Sequence, residues 1–484
     1  MRGGANRPDP GLRAPAATTM QLISVVLPYA VSIRDFVHSG ALAELLSIPA
    51  VRIDIYTQNP DLPEFDALRS DRVTLREIVE VPQGRVERLL RRYYPILFAD
   101  EFVFIRQNVE RTSGRRLAAR AIVGLRRAVG TRNALRIYGQ LLRLFSTRPA
   151  HKLFAGTPDL VIGTRSLVNS LDYAFILEAS RRRLPILTIA SSWDNFTTKG
   201  FFPFPVERTI VWNRKMAEEL VEIFDVPPGR IVVAGYPRIG LIRGTGAFAG
   251  AEDYLRSIGL APYRRFVLHT VSYAELTRLA PGEPPLEYQL VREIAEALLP
   301  TLPDDTCLLV RLHPFSDTRD EAVLEGLPGL HVFVPGRMDR YVERVMSAAD
   351  EVHLACQLAF SECIVSMAST ITIDALALGR PIVNVTYDPA THRGSAPVIP
   401  RFYEYNHFRD LLARVSPRLA GSTSDVLAFV HQCLAAPATP EADLAAFERD
   451  YVPADSDRYS KTVRSAVEEL LALHRRAPVE GAAQ

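Results

Sequence analysis

Arg311 and His313 lie two residues apart in LLVRLHP (308–314). On a strand that spacing puts both side chains on one face. The neighbouring residues are apolar, so a cation and an imidazole there need partners. Phosphate oxygens would supply them. Further along, CIVSMASTITIDALALGRPIVNVTYD (363–388) reads as a strand, a turn and a helix, then Gly379, Pro381 and a second strand. Ser366 ends the first of these strands. Ser369 or Thr370 falls at the helix N-cap, where a hydroxyl satisfies free backbone N–H groups. The same helix start presents a positive dipole end that suits a phosphate. Asp374, about one turn in, is placed to accept ribose hydroxyls. Together these residues predict a nucleotide phosphate site. The alternative is a plain capped βαβ unit.

Two other segments offer acid–base chemistry. SSWDNFTTKG (191–200) holds one of two tryptophans and one of four lysines. Asp194 can act as a general base if it is positioned against an acceptor hydroxyl. Lys199 would place a compact point charge near phosphate. The alternative is a structural loop in which Asp194 caps a helix. YAVSIRDFVHSG (29–40) follows the first strand-like run. Asp35 and His38 are three apart, so they can share a helix face and orient each other as a base dyad, with Arg34 beside them. Capping by Asp35 and simple exposure of His38 is the other reading. The choice between His38 and Asp194 stays open.

These residues must be held by a repeating framework. Residues 23–30, 52–58, 159–165, 185–193, 209–213 and 230–235 are short apolar runs bounded by Pro, Gly or Asp, which predicts buried strands. Residues 265–273, 307–314, 330–336, 364–370 and 381–387 repeat the pattern. Helical patterns lie between them, as at 286–299. Strand–helix alternation predicts parallel sheets covered on both faces. Eleven strands are too many for one typical doubly wound sheet. The expected fold is therefore α/β, two Rossmann-like domains facing a cleft, with ligands at the carboxyl ends of the strands. The expected divisions are a disordered leader over 1–20, an acceptor domain over 21–240 and a nucleotide-donor domain over 241–440. Closing helices and a tail follow over 441–484, and Met20 is an alternative start. The Gly-rich stretch 236–262 is the crossover, and helices at 423–435 and 459–475 close the chain.

Composition narrows the field. The chain has 484 residues, 48% of them hydrophobic, and a net charge of +2. That suits a soluble globular protein of two or three domains and no general nucleic-acid role. No apolar run reaches the length of a membrane span. Cys307, Cys356, Cys363 and Cys433 show neither metal-ligand spacing nor a disulfide framework, so a reducing cytoplasm is expected. Residues 111–158 contain no Asp or Glu, while 111–152 hold ten arginines and one lysine. GRRLAARAIVGLRRAVGTRNALRIYGQLLRLF (114–145) sets apolar residues at helical spacing among the arginines. A basic amphipathic helix of this kind lies on an anionic membrane surface. The alternative is a solvated arginine-rich face.

A His-Pro element followed by a Ser/Thr element resembles the donor half of GT-B transferases that use CMP-, CDP- or UDP-activated donors. The segment 366–388 is most similar to the CDP-glycerol glycerophosphotransferase family of teichoic-acid synthesis. It matches at Ser369, Asp374, Ala375, Arg380, Pro381, Ile382, Tyr387 and Asp388. Gly235-Tyr236-Pro237-Arg238 resembles a second motif of that family. Trp193 and Lys199 keep the separation of a third. Asp194 stands where the family has histidine, and Gly240 where it has aspartate. The resemblance covers roughly residues 185–390. It implies a donor site built from Arg311, His313, Ser366, Ser369, Thr370 and Asp374, with Lys199 and Arg238 nearby.

The function expected from all this is GT-B glycosyl transfer. A nucleotide-activated sugar would move onto a surface-polysaccharide, glycan or lipid-linked acceptor. No Asp-x-Asp motif ends a strand, so neither a metal nor another cofactor is expected. CDP-glycerol-type transfer, UDP-sugar 2-epimerisation and a non-catalytic GT-B scaffold are the alternatives. The enzyme would be cytoplasmic, peripheral on the inner face of the membrane through 114–145.

Overall fold

The structure is a computed structural model that describes residues 20–111, 115–148, 152–164, 171–246, 248–316, 318–338, 344–436 and 439–476. The expected leader, apart from Met20, and Gly114 of the basic stretch lie outside the described residues. The first sheet contains β1 (Gln21–Leu27), β2 (Val51–Thr57), β3 (Val73–Glu77), β4 (Leu160–Gly163), β5 (Ile186–Ile189), β6 (Arg208–Val211) and β7 (Ile231–Val233). Their order is β3-β2-β1-β4-β5-β6-β7, all parallel. The second half supplies β8 (Arg265–Thr270), β9 (Thr306–Arg311) and β10 (Leu330–Phe333). A small antiparallel pair follows, β11 (Arg337–Met338) with β12 (Arg344–Val345). Then come β13 (Ile364–Ser366), β14 (Ile382–Val385) and β15 (Arg418–Ala420). The second sheet runs β10-β9-β8-β13-β14-β15, again parallel.

Each sheet reverses its strand order beside its first strand, between β1 and β4 and between β8 and β13. That reversal opens a crevice at the carboxyl ends, where such sheets take ligands. The central strands are mostly apolar and buried because helices cover both faces. β4, β5 and β14 are buried at every residue. All eleven expected strands are present. The two sheets gain one more strand each, β3 and β15, and both lie at an edge. An edge strand is only half covered, so it keeps polar residues such as Arg76, Glu77 and Arg418 and lacks the continuous apolar signature.

The chain closes on itself. The helix Tyr459–Arg476 packs Val463, Val467 and Leu470 against Leu42 and Leu45 of the helix Ala41–Leu46, beside the first sheet. The turn after β7 passes close to this return. Gly235 has φ 94°, and a Cβ there would sit 2.5 Å from the Ser456 Cα. Only glycine fits both the conformation and the approach.

The basic stretch is not one helix. It forms Arg115–Val129 and Thr131–Phe145, separated by Gly130 at φ 80°. Nor are its arginines uniformly solvated. Arg126 is buried and pairs with Asp100 at 2.6 Å and Glu101 at 3.2 Å. Among the described residues no helix is long and apolar enough to cross a membrane.

Candidate active site

At the reversal point of the second sheet a chain of hydroxyls crosses from β8 to the helix after β13. Thr270 Oγ1 donates to Ser366 Oγ at 2.9 Å, and Ser366 Oγ lies 3.1 Å from Ser369 Oγ. Ser369 Oγ accepts from the Ile371 N–H at 3.3 Å. Thr370 occupies the N-cap of the helix Ile371–Ala377, but its own hydroxyl makes no capping bond. The capping role therefore falls to Ser369.

β9 ends at Arg311, so His313 sits just past the strand. The alternation that would put Arg311 and His313 on one face stops there, and the two side chains have separate surroundings. Arg311 is buried against the helix Ala348–Phe360, donating from Nη1 to Gln357 Oε1 at 2.8 Å and lying over the Phe333 ring at 5.2 Å. Burial lowers its pKa to about 10, opposed by Glu351. His313 Nδ1 accepts from the Phe315 N–H at 3.1 Å. The ring proton is therefore on Nε2. Burial, helped by the charges of Arg311 and Arg34, pushes the His313 pKa down to about 4. At neutral pH the ring is an uncharged donor through Nε2–H. The rings of Tyr273 and Phe315 flank it, with centroids 5.9 and 5.3 Å away. They stay 37% and 40% exposed. These two aromatics were not anticipated. Their signal was an aromatic residue just beyond each of two adjacent strand ends.

Glu287 holds the Tyr273 loop in place. Its carboxylate accepts the Ser272 N–H at 2.9 and 3.0 Å and also the Ser272 hydroxyl. Burial pushes the Glu287 pKa up to about 7 against those bonds.

Asp374 is not open to a ribose. It is fully buried, ion-paired with Arg238 at 3.0 Å, and accepts a hydrogen bond from Tyr236 Oη. Both partners come from the turn after β7. Asp374 and Arg238 thus fasten the two halves of the chain together.

On the facing wall, residues 34–38 form one wide π-helical turn, closed by the Ser39 N–H on the Arg34 carbonyl at 3.1 Å. Arg34 Nε donates to Asp35 Oδ1 at 2.6 Å. His38 Nε2 lies 3.0 Å from the Met346 carbonyl oxygen, to which it donates. The expected Asp35–His38 dyad is thus replaced by two separate partnerships. Burial raises the Asp35 pKa despite Arg34. The charge of Arg34 also bears on His313 and Asp374 across the cleft.

Asp194 lies elsewhere on the contact between the halves. It precedes the helix Asn195–Lys199. Trp193 is buried against His407, Phe408 and Tyr451, at ring distances of 4.9, 5.6 and 6.2 Å. Asp194 accepts from the Ser192 hydroxyl and from Thr198 Oγ1 at 3.0 Å, and Lys199 Nζ is 3.9 Å away. Burial pushes its pKa up. Lys199, His407 and the two hydroxyls outweigh that and hold it well below the usual carboxylate range. Lys199 itself is exposed.

Among the described residues no cluster of three or more His, Cys, Asp or Glu side chains is arranged to hold a metal ion.

No protein-family model matches the chain, and no curated protein matches it in sequence. Solved structures do match. The S. aureus MnaA-UDP co-structure aligns with TM-score 0.50 at 11% identity, over 95% of this chain and 99% of that one. UDP-GlcNAc 2-epimerase from Neisseria meningitidis bound to UDP-GlcNAc gives 0.49 at 10% identity, over 94% and 100%. CalG4, the calicheamicin glycosyltransferase, gives 0.45 at 14% identity, over 95% and 100%. None of these matches is to the CDP-glycerol glycerophosphotransferase family that residues 193–199 and 366–388 resemble. The two sheets, their strand order and the whole-chain alignment show a GT-B fold, two Rossmann-like domains facing a cleft.

Proposed function

We propose that the protein is a GT-B glycosyltransferase that takes a nucleotide-activated sugar and moves the sugar onto a glycan or lipid-linked acceptor. The observation that carries this reading is His313. Its neutral ring keeps an N–H donor with no protein acceptor among the described residues, just past the carboxyl end of β9. A diphosphate is the group that such a donor suits, beside the Ser366 and Ser369 hydroxyls and the charge of Arg34. Tyr273 and Phe315 offer exposed faces for a base or a sugar ring. A uridine nucleotide is the first to try, because the structural neighbour from S. aureus was solved with UDP.

In the proposed reaction the acceptor hydroxyl attacks the anomeric carbon. The bond from that carbon to the phosphate oxygen breaks, and its electron pair stays on the phosphate. Arg34, His313 and the serine hydroxyls take up that charge. The acceptor proton goes to His38. With Nε2–H committed to the Met346 carbonyl, Nδ1 carries the lone pair, as a general base requires. Asp194, held strongly ionised by Lys199 and the Ser192 and Thr198 hydroxyls, is a weaker base and serves to brace the loop.

The apolar residues left exposed on the two basic helices, Leu117, Leu125, Ile137, Leu144 and Phe145, support peripheral docking on an anionic membrane. Lipid-linked acceptors are available at such a surface.

The test is to follow UDP-, CDP- and GDP-sugars by NMR in deuterated water with the full chain. Release of nucleotide with transfer to an acceptor is expected. Deuterium at the sugar C2 would mean 2-epimerisation instead. Transfer from CDP-glycerol would mean glycerophosphate chemistry. Tight nucleotide binding without turnover would mean a scaffold.

A further inference from the structure

A cavity of about 670 Å³ opens at the β3 edge of the first sheet and shares no lining residue with the cleft. That volume is in the range of small-molecule sites, ~300–1,000 Å³. Its apolar wall is formed by Leu75, Val81, Pro82, Leu153 and Phe175. Tyr56 also lines it, its hydroxyl accepting the Ala155 N–H at 3.1 Å.

The cations that line it differ in their partners. Arg76 is engaged by Asp54 at 3.0 Å. Arg148 and Lys152 are exposed, and among the described residues neither has a carboxylate partner. Glu77 and Glu80, on the chain leaving β3, line it as well, and Glu77 is engaged elsewhere. Val79, between them in the chain and also in the lining, is 57% exposed. Leu144 and Phe145, at the end of the helix that leads into Thr147 and Arg148, are exposed as well. An apolar lining, two cations with no carboxylate partner among the described residues and an exposed Val79 are complementary to one kind of ligand. It has a single hydrocarbon chain and an anionic head.

We infer that this cavity binds one chain of a lipid phosphate, with Arg148 and Lys152 on the phosphate and the chain along Leu75, Val81 and Phe175. The inference does not rest on the transferase reading, because the cavity would bind this ligand whether or not the cleft transfers sugar.

Dodecyl phosphate is the probe, used below its critical micelle concentration to displace 11-(dansylamino)undecanoic acid from the full chain. Displacement is expected. Dodecyl maltoside, with the same chain and no charge, should compete roughly 10- to 100-fold less well, the loss of a charge-assisted contact. Glycerol phosphate, with no chain, should not compete. Arg148→Glu with Lys152→Glu changes only exposed side chains and should weaken dodecyl phosphate by a similar factor. Val81→Trp should block both probes, and Val79→Trp replaces it if that variant does not fold. Equal competition by the maltoside, or unchanged binding in the charge-reversed protein, would overturn the phosphate contact. Competition by glycerol phosphate alone would make this a free-anion site and overturn the chain contact. A dimer that Val79→Trp dissociates would show that a second copy covers the cavity, and would overturn the proposal.

Discussion

Arg238 and Asp374 form a buried ion pair, 3.0 Å apart, between the turn after β7 and the helix after β13. Their partnership converts two residues expected to touch the donor into a bolt between the halves of the chain. Breaking a buried pair leaves an uncompensated charge, at a cost of about 3–5 kcal/mol. Arg238→Ala and Asp374→Asn should each lower stability on that scale in urea unfolding. Replacing both, as Arg238→Met with Asp374→Leu, should recover much of it. A selective loss of nucleotide affinity in Asp374→Asn, with stability unchanged, would return Asp374 to the ribose.

His313→Ala should weaken UDP binding by about 1.5–3 kcal/mol, roughly 10- to 100-fold, while the protein stays folded. Phe315→Ala should also weaken it, through lost ring contact. Titration calorimetry distinguishes these from Arg311→Ala, whose main effect should be on stability because Arg311 is turned toward Gln357 and Phe333.

His38→Ala should reduce turnover by roughly 10²–10⁴-fold with nucleotide binding largely kept. Asp194→Asn should instead lower stability and leave most of the turnover, because its carboxylate is held ionised by partners within the protein. Lys199→Arg should be tolerated, since Lys199 is exposed and 3.9 Å from Asp194. The opposite ranking of His38 and Asp194 in single-turnover kinetics would assign the base to Asp194.

Stability should depend on pH in two opposed windows. His269, His313 and His407 have folded pKa values lowered by burial to about 3, 4 and 4. Between there and the ordinary value near 6.5 the unfolded chain binds more protons, so their contribution rises with pH and is lost on acidification. Glu219 is pushed up to about 8 by burial, with Asp410, Asp194 and Glu218 adding and Lys215 opposing. Glu287 is raised to about 7. For these two the folded state binds more protons, so stability falls as pH rises toward 8. Glu219→Gln should therefore be more stable than the parent at pH 8, by on the order of a few kcal/mol, and closely similar near pH 4.5. Thermal unfolding across that range would show it. An unchanged difference at every pH would sink the assignment.

Vesicles containing anionic lipid should bind the protein, less so at high salt. Arg116→Glu with Arg120→Glu, or Leu117→Asp with Leu125→Asp, should abolish binding in a flotation assay. Arg126→Ala should act differently and destabilise the fold, because Arg126 is paired with Asp100 and Glu101. Vesicle binding unaltered by both surface pairs would remove the membrane role.

The sequence by itself determined the framework. Apolar runs such as DLVIGTR and PILTIAS can be strands of this kind only in a sheet covered on both faces, and their alternation with helices demands parallel order. β3 and β15 escaped because an edge strand is not required to be apolar. His313, in the proposed donor site, stood out in the sequence because an imidazole next to Pro314, at the end of a buried strand, needs a polar partner that its apolar neighbours do not supply. What the tertiary structure decided is where each charge finds its partner. Asp374 looks inward because Arg238 and Tyr236 arrive from the turn after β7, far away in the chain. Asp194 is held ionised because Lys199 folds back on it, in a loop set by His407 and Phe408, which come from the other half of the molecule to pack on Trp193. Arg126 is a core residue, and Arg116 is not, only because Asp100 and Glu101 lie beneath one of them. Burial of apolar surface follows local pattern, but a charge's role follows its nearest opposite charge, which folding alone brings near.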